Sequence, residues 1–272
     1  MIFEDGYLTN VFTLLTELAI LGLVFFGIEK IKPAQKDSRY FKQDFWQEFG
    51  LGIINLGIAL PIYVIAIGAM INLVIAPIIP HQMFNESIGT LPLIVQAFLG
   101  AFIIDFSTYW RHRFTHSYLW KIHSIHHSAL HISWLTAIRL HPVDFLIAII
   151  FDLTILYIFG FESAGMVIAI LMIKTFNYFT HANIYLQFDK PVRYIFASPN
   201  YHRWHHAEEK EAHNKNFCAM FSLLDVMFGT YYHPEGVPKG YGIGDDQKEY
   251  PKTLLGQLTY PFRKKRNGSD SD

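Results

Sequence analysis

Long apolar stretches alternate with short charged ones along this chain, and several of them have the length of a membrane-crossing helix. Residues 9–28 are apolar apart from Asn10, several threonines and Glu17. About 20 residues at 1.5 Å rise cross a bilayer core roughly 30 Å thick, so this stretch predicts a first span. The ten residues at its start hold Glu4 and Asp5 and no Lys or Arg. They lack the basic start of a cleavable signal peptide, and the span is expected to be retained. Residues 49–80 predict a second, tilted span that Pro61 can kink and that Pro77 and Pro80 end. Residues 91–110 predict a third. The stretches 143–159 and 164–179 fall near or below spanning length and flank the turn Gly160-Phe161-Glu162-Ser163. They read as a helical hairpin that dips into or barely crosses the bilayer.

Charge orients these elements. Lys30, Lys32, Lys36, Arg39 and Lys42 crowd the 29–48 loop, whereas the 81–90 loop has no Lys or Arg. The positive-inside rule puts the first loop in the cytoplasm and the second outside. The third span then returns the chain to the cytoplasmic side at Arg111, and the hairpin returns His181 to that same side. No span follows Asn183. The tail carries the basic run Arg263-Lys264-Lys265-Arg266 and ends in NGSDSD, which is expected to be disordered. The expected fold is an all-α integral membrane protein: three transmembrane helices plus a short hydrophobic helical hairpin, with a cytoplasmic histidine-rich helical cap. Residues 1–90 form an N-terminal transmembrane region, 91–235 the part that carries the chemistry, and 236–272 a cytoplasmic tail.

Composition supports the membrane reading and removes other classes. The chain is 51% hydrophobic and 17% charged, with a mean hydropathy of +0.22; soluble chains carry about a quarter charged residues. A net charge of −1 excludes the basic footprint of a nucleic-acid binder. Cys218 is the single cysteine, which excludes an intramolecular disulfide and cysteine-ligated metal sites. Fourteen histidines remain.

Eight of them fall in three clusters: His112 and His116 in HRFTH, His123, His126 and His127 in HSIHH, and His202, His205 and His206 in HRWHH. Helical residues three and four apart share a face, so each cluster can present two or three imidazoles toward a common point. At this histidine frequency an HxxHH string is expected by chance roughly a few hundredths of a time in the chain; it occurs twice. Eight crowded imidazoles without metal would be unpaired, or repelling when protonated. One zinc uses at most four ligands, so this number implies two metal ions. No Asp or Glu lies between Arg111 and His127 or from Ser198 to Ala207. That absence argues against carboxylate-bridged di-iron bundles and HExxH proteases. The residues alone reach a histidine-rich dimetal site at the cytoplasmic membrane face.

HxxxH, then HxxHH, a hydrophobic hairpin and a second HxxHH together resemble the membrane fatty acid hydroxylase and sterol desaturase superfamily over roughly Leu91 to Tyr232. The strings DFSTYWRHRFTH, RLHPVD, SPNYHRWHH, NKNF and FSLLDVMFGTYY are similar to it as well. The resemblance implies a non-haem di-iron centre that activates O₂ on the cytoplasmic side and oxidises a C–H bond of a lipid. Zinc can replace the iron on overexpression. It adds His181 as an isolated ninth ligand, Asn177 as a residue reaching metal through water, and His141 as an outer or alternative ligand. Asp105, two helical turns before His112 within an apolar span, is expected to accept the free N–H of a ligand histidine, or to bond another helix. His81, His131, His213 and His233 lie outside the motifs and read as surface or interfacial residues. Arg111, Arg113, Lys121 and Arg203 read as lipid-headgroup contacts, and Trp110, Trp120, Trp134, Trp204, Tyr231 and Tyr232 as an interfacial aromatic belt.

The chain has no CxxCH, GxGxxG or cysteine cluster, so electrons are expected from an external cytoplasmic donor. The expected partners are a lipid substrate and the membrane, with no nucleic acid. Competing readings are a membrane dizinc hydrolase of a lipid ester or amide, and a non-enzymatic metal-binding membrane protein. The lipid, the choice between hydroxylation and desaturation, and the oligomeric state stay open. The expected location is the inner membrane of a bacterium or the endoplasmic reticulum of a eukaryote.

Overall fold

The structure, a computed structural model, describes residues 7–35, 43–79, 88–161 and 163–263. Regular structure among the described residues is entirely helical, with two isolated β-bridges and no strand. Several expectations fall outside them. These are Lys36, Arg39 and Lys42 of the charged loop, His81 and most of the opposing loop, Glu162 of the hairpin turn, and the tail beyond Arg263.

Helix α1 (Tyr7–Ile31) covers residues 9–28, where the sequence predicts a first span. A continuous rod over Asp44–Ile75 follows. It is built from α2 (Gln43–Gly52), a π-helical stretch Ile53–Ala59, α3 (Leu60–Met70) and a second π-helical stretch Ile71–Ile75. Pro61 stands in the first turn of α3. Lacking an N–H, it cannot close the ladder to the preceding turn, and the irregularity expected there takes the form of the wider helical turns just upstream.

Helix α4 (Leu93–Tyr118) continues well past the expected end of the third span and carries the first histidine cluster with it. Among the described residues, Asp44–Ile75 and Leu93–Tyr118 are the two helices long and apolar enough to cross a membrane. Leu119, at φ −121°, breaks the helix before α5 (Trp120–His127). The hairpin consists of α6 (Pro142–Ile158) and α7 (Ser163–His181), and it turns at Gly160 with φ 70°, a backbone that side chains other than glycine's strain to adopt. Short helices α8 (Pro199–His205), α9 (Leu223–Met227) and α10 (Leu254–Thr259) complete the chain.

Helix α4 packs against both arms of the hairpin. The approach to α7 is close: a Cβ on Gly100 would stand 2.8 Å from that of Ala169. Small residues let apolar helices meet by shape where lipid gives no hydrophobic drive. Ile62, Ile65, Leu73, Val74 and Ile94 face outward, each more than half exposed, an exterior that suits hydrocarbon rather than water. At one end, buried carboxylates stitch the loops to the helices. Glu29 accepts the backbone N–H of Trp134 at 2.8 Å and of Asn183 at 2.6 Å. Glu48 accepts the Thr136 hydroxyl at 2.8 Å.

Candidate metal centre

Four segments deliver the histidines. His112 and His116 lie one turn apart at the end of α4, and the break at Leu119 turns α5 back so that its rings meet them. His181 ends α7. In α8, Ser198 caps the helix by accepting the Tyr201 N–H at 3.3 Å and Pro199 occupies the first turn. The helix thereby presents His202 and His205, with His206 just after it.

All nine motif histidines converge, in two groups rather than at one point per cluster. His112, His116, His123, His127 and His205 form one; His126, His181, His202 and His206 form the other, and within each the ligand atoms lie within 4.8 Å of one another. Each HH pair is split between the groups, because neighbouring helical residues point about 100° apart. The rings of His126 and His127 stand at 90°, those of His205 and His206 at 89°.

The rings fit a bound cation. His112 Nδ1–H donates to Phe217 O at 2.8 Å, His123 Nδ1–H to Asp144 Oδ2 at 2.7 Å, His181 Nδ1–H to Asn177 O and His205 Nδ1–H to Lys215 O, both at 2.7 Å. With Nδ1 holding the proton, Nε2 keeps its lone pair. His112 and His123 therefore face each other, lone pair to lone pair, at 3.0 Å. That arrangement repels unless a cation sits against both. The other Nε2 separations, His116–His127 at 3.1 Å, His181–His202 at 3.0 Å and His126–His181 and His181–His206 at 3.3 Å, fall in the same range. Metal–nitrogen bonds of roughly 2.0–2.1 Å put neighbouring ligand nitrogens about 3.0–3.4 Å apart. Burial, then the neighbouring imidazoles, hold His126, His127, His202 and His206 well below the ordinary histidine range. Burial pushes His205 down to about 3 against the opposing pull of its Lys215 bond. These rings are neutral at physiological pH, as ligands must be.

The fatty acid hydroxylase family profile matches residues 97–230, which hold all nine of these histidines. An ornithine lipid hydroxylase of Rhizobium tropici is 32% identical over 181 residues, 64% of this chain and 52% of that protein. An alkylglycerol monooxygenase of Danio rerio is 27% identical over 61% of this chain and 36% of its own length. A very-long-chain aldehyde decarbonylase of Oryza sativa is 23% identical over 61% of this chain and 27% of its own. These matches support the expected membership of the fatty acid hydroxylase and sterol desaturase superfamily. The chain spans about half, or less, of the length of these relatives. No solved structure matches it.

Three residues expected to serve the metal centre make other contacts in the structure. Asp105 touches no ligand histidine: its carboxylate accepts the backbone N–H groups of Ala219 at 2.7 Å, Met220 at 2.9 Å and Phe221 at 2.6 Å. A buried loop backbone outcompetes one imidazole because it offers three aligned donors at once. His141 has both nitrogens engaged, accepting the Val143 N–H at the start of α6 at 3.1 Å and bonding Leu258 O at 3.1 Å. Both of its nitrogens are thus committed to fastening α6 and the chain near α10. Asn177 serves His181 through its backbone carbonyl, while its side chain lies 3.5 Å from Ala137 O. Two supposed headgroup contacts instead bond within the protein, Arg203 buried and Arg111 partly so. Arg111 sits 3.6 Å from Asp144, and Arg203 donates to Ala182 O and Asn183 Oδ1. Trp204 is buried against Tyr232, away from any interface belt.

Sequence reasoning missed Asp144 and Asp225. Asp144 lies in RLHPVD, and its place in the first turn of α6 was the available signal. Asp225 accepts the N–H of Phe217 and Cys218, the Tyr201 hydroxyl at 2.6 Å and the Thr230 hydroxyl at 2.7 Å. Burial and this carboxylate push the Tyr201 phenol well up, so it stays protonated and donates. Asp105 and Asp225 thus clamp the 217–221 segment, whose Phe217 carbonyl orients His112.

Behind the histidines lies an apolar slot of ≈ 210 Å³ between the Asp44–Ile75 rod, α6 and α7. Leu60, Val64, Phe145, Ile149 and Ile170 line it, and Arg111 and Asn177, neighbours of His112 and His181 in the chain, bring its wall to the metal centre. On the other side, a polar hollow of ≈ 300 Å³ reaches His116, His127 and His205 past His213 and Asn214. His213 therefore lies closer to the centre than its place outside the motifs suggested.

Proposed function

We propose that this chain is a membrane-embedded, O₂-dependent oxidoreductase that hydroxylates a C–H bond of a chain-bearing lipid at a di-iron centre held by the nine histidines. The observation that carries the reading is the juxtaposition of two buried groups of neutral imidazoles with the wall of an apolar slot opening among apolar helices. A lipid already dissolved in the bilayer needs only lateral entry to bring a methylene beneath the rings. Neutral imidazoles suit ferrous iron, which when bound supplies the O₂ activation that an unactivated C–H bond requires. The chain's own residues do the positioning. Asp144 and the carbonyls of Phe217, Asn177 and Lys215 hold four rings with Nε2 free, and the slot walls exclude water from the chain they hold.

Relatives whose names specify an ornithine lipid and an alkylglycerol support a chain-bearing lipid over a sterol, and hydroxylase and monooxygenase names support oxygen insertion over desaturation. An external cytoplasmic electron donor completes the reaction. The histidine face lies in the cytoplasm, with α1, the Asp44–Ile75 rod and the first part of α4 as three spans and α6–α7 as the hairpin beside them. The test is expression in a host lacking related enzymes, with lipids compared by mass spectrometry. A lipid gaining one oxygen atom, together with iron in gently purified protein, is the expected result. Unchanged lipids in the presence of a full iron complement overturn the reading. For orientation, Lys210→Cys should resist an impermeant thiol reagent on intact cells and react after lysis, and labelling of intact cells reverses the topology.

A further inference from the structure

Two charged residues stand at mid-hairpin in the wall of the slot. Asp152 of α6 and Lys174 of α7 pair across the hairpin, Oδ2 to Nζ at 3.6 Å. Both lie well away from the metal centre. Lys174 is seven residues before His181, and Asp152 is eight after Asp144, so each is about 10–12 Å along its helix from the ligand end. Ionisable groups at such depth are costly and have a use.

The pair is also incomplete. Asp152 is 5% exposed and its Oδ1 has no hydrogen-bond partner, although the residue lines the slot. Holding two helices together explains Oδ2 and leaves Oδ1 unexplained, because a buried carboxylate oxygen without a donor costs free energy. Because Asp152 lines the slot, a ligand there meets the carboxylate and supplies that donor once the side chain turns Oδ1 toward it. Lys174 neutralises the carboxylate, so the pair as a whole favours an uncharged group over an ammonium. A hydroxyl or an amide fits best: it donates to Asp152 Oδ1 and offers Lys174 an acceptor in return. Around the pair the wall is apolar, with Ile149, Leu153, Val167 and Ile170. One polar group on an otherwise apolar chain is thus the shape the slot describes.

We propose that Asp152 and Lys174 form a polar subsite inside the slot that holds an uncharged hydroxyl or amide of the lipid about two helical turns from the histidines, and so set which stretch of the chain lies beneath the metal centre. The inference rests on reading the slot as the lipid site, and it makes the pair a specificity-determining element rather than a catalytic one.

The test uses the full chain in phosphatidylcholine nanodiscs and equilibrium binding of two probes, hexadecan-1-ol and 1-methoxyhexadecane, with empty nanodiscs subtracted. The probes share a chain and an ether or alcohol oxygen, and only the alcohol has a donor. The intact protein is expected to bind the alcohol about tenfold more tightly. In an Asp152→Leu/Lys174→Met double variant, which leaves no unpaired charge, the preference should fall below about twofold while the ether binds as before. Asp152→Asn keeps an acceptor oxygen and should retain part of the preference. Equal binding of both probes by the intact protein, or an undiminished preference in the double variant, overturns the subsite. Lipid oxidation without the preference removes this inference alone. The preference without lipid oxidation leaves it standing and removes the oxidase reading.

Discussion

The five-histidine and four-histidine groups draw on the same ligand type and on α5 and α8 in common, yet they differ in what holds the back of each ring. In the five-membered group His112, His123 and His205 each donate Nδ1–H to a carbonyl or carboxylate, and the Asn214 side chain hydrogen-bonds His116. In the four-membered group only His181 is tied this way; the Nδ1 atoms of His126, His202 and His206 are buried with no partner. An outer hydrogen bond fixes tautomer and ring orientation before a metal arrives. The difference teaches that one group is preorganised by the surrounding loops, while the other is held in place by its position on three helices.

The largest expected effect comes from removing a ring of the better-held group. His205→Ala should lower lipid oxidation at least about 100-fold and reduce metal content, since even an outer partner is worth roughly 10–100-fold. His213→Ala, on the rim of the polar hollow, should stay within about twofold. Oxidation assayed at equal membrane abundance decides; an active His205→Ala protein with full metal content breaks the assignment. An intermediate effect sharpens the contrast directly. Graded chelation should release metal in two phases, the four-histidine group emptying first, and Asp144→Asn should speed the slower phase by about 10–100-fold through the loosened His123. A single release phase for the unmodified protein would show that the outer hydrogen bonds do not distinguish the groups.

The smallest effect concerns the scaffold behind α8, which both groups share. Burial, followed by the Arg193 charge, pushes His233 down to about 4, and the ring contacts Asn200 at 3.2 Å. Folded, it is neutral; in an unfolded chain it takes a proton at its ordinary value of 6.5. Its share of stability is therefore present above about pH 6.5 and lost as pH falls toward 4. His233→Gln should flatten the fall of Tm over that window, and an unchanged slope would assign the acid sensitivity elsewhere.

Eight of the nine imidazoles were legible as candidate ligands because i, i+3 and i+4 spacing survives any packing of a helix, whereas His181 was legible only through the family resemblance; the helical, apolar character of the chain was legible for the same local reason as the eight. What hides behind each ring was not. Asp144 is a first-turn residue like many others until α6 folds against α5, and Asp225 lies 24 residues from the Tyr201 whose hydroxyl it accepts. Asp105 shows the limit in reverse. Its periodicity with His112 is correct, yet the donors it meets are backbone groups more than a hundred residues away.

By itself, the sequence determined that the chain is helical, apolar enough for a bilayer and furnished with three histidine clusters, since helix periodicity, span length and residue chemistry are local properties. Tertiary structure alone decided which rings from different helices gather into each group, the clamp of Asp105 and Asp225 on the 217–221 segment, and the slot in which Asp152 meets Lys174. Each of those depends on which helix faces which. That choice is made by the collective packing of small and large side chains across α4, α6 and α7, and no window of consecutive residues contains it.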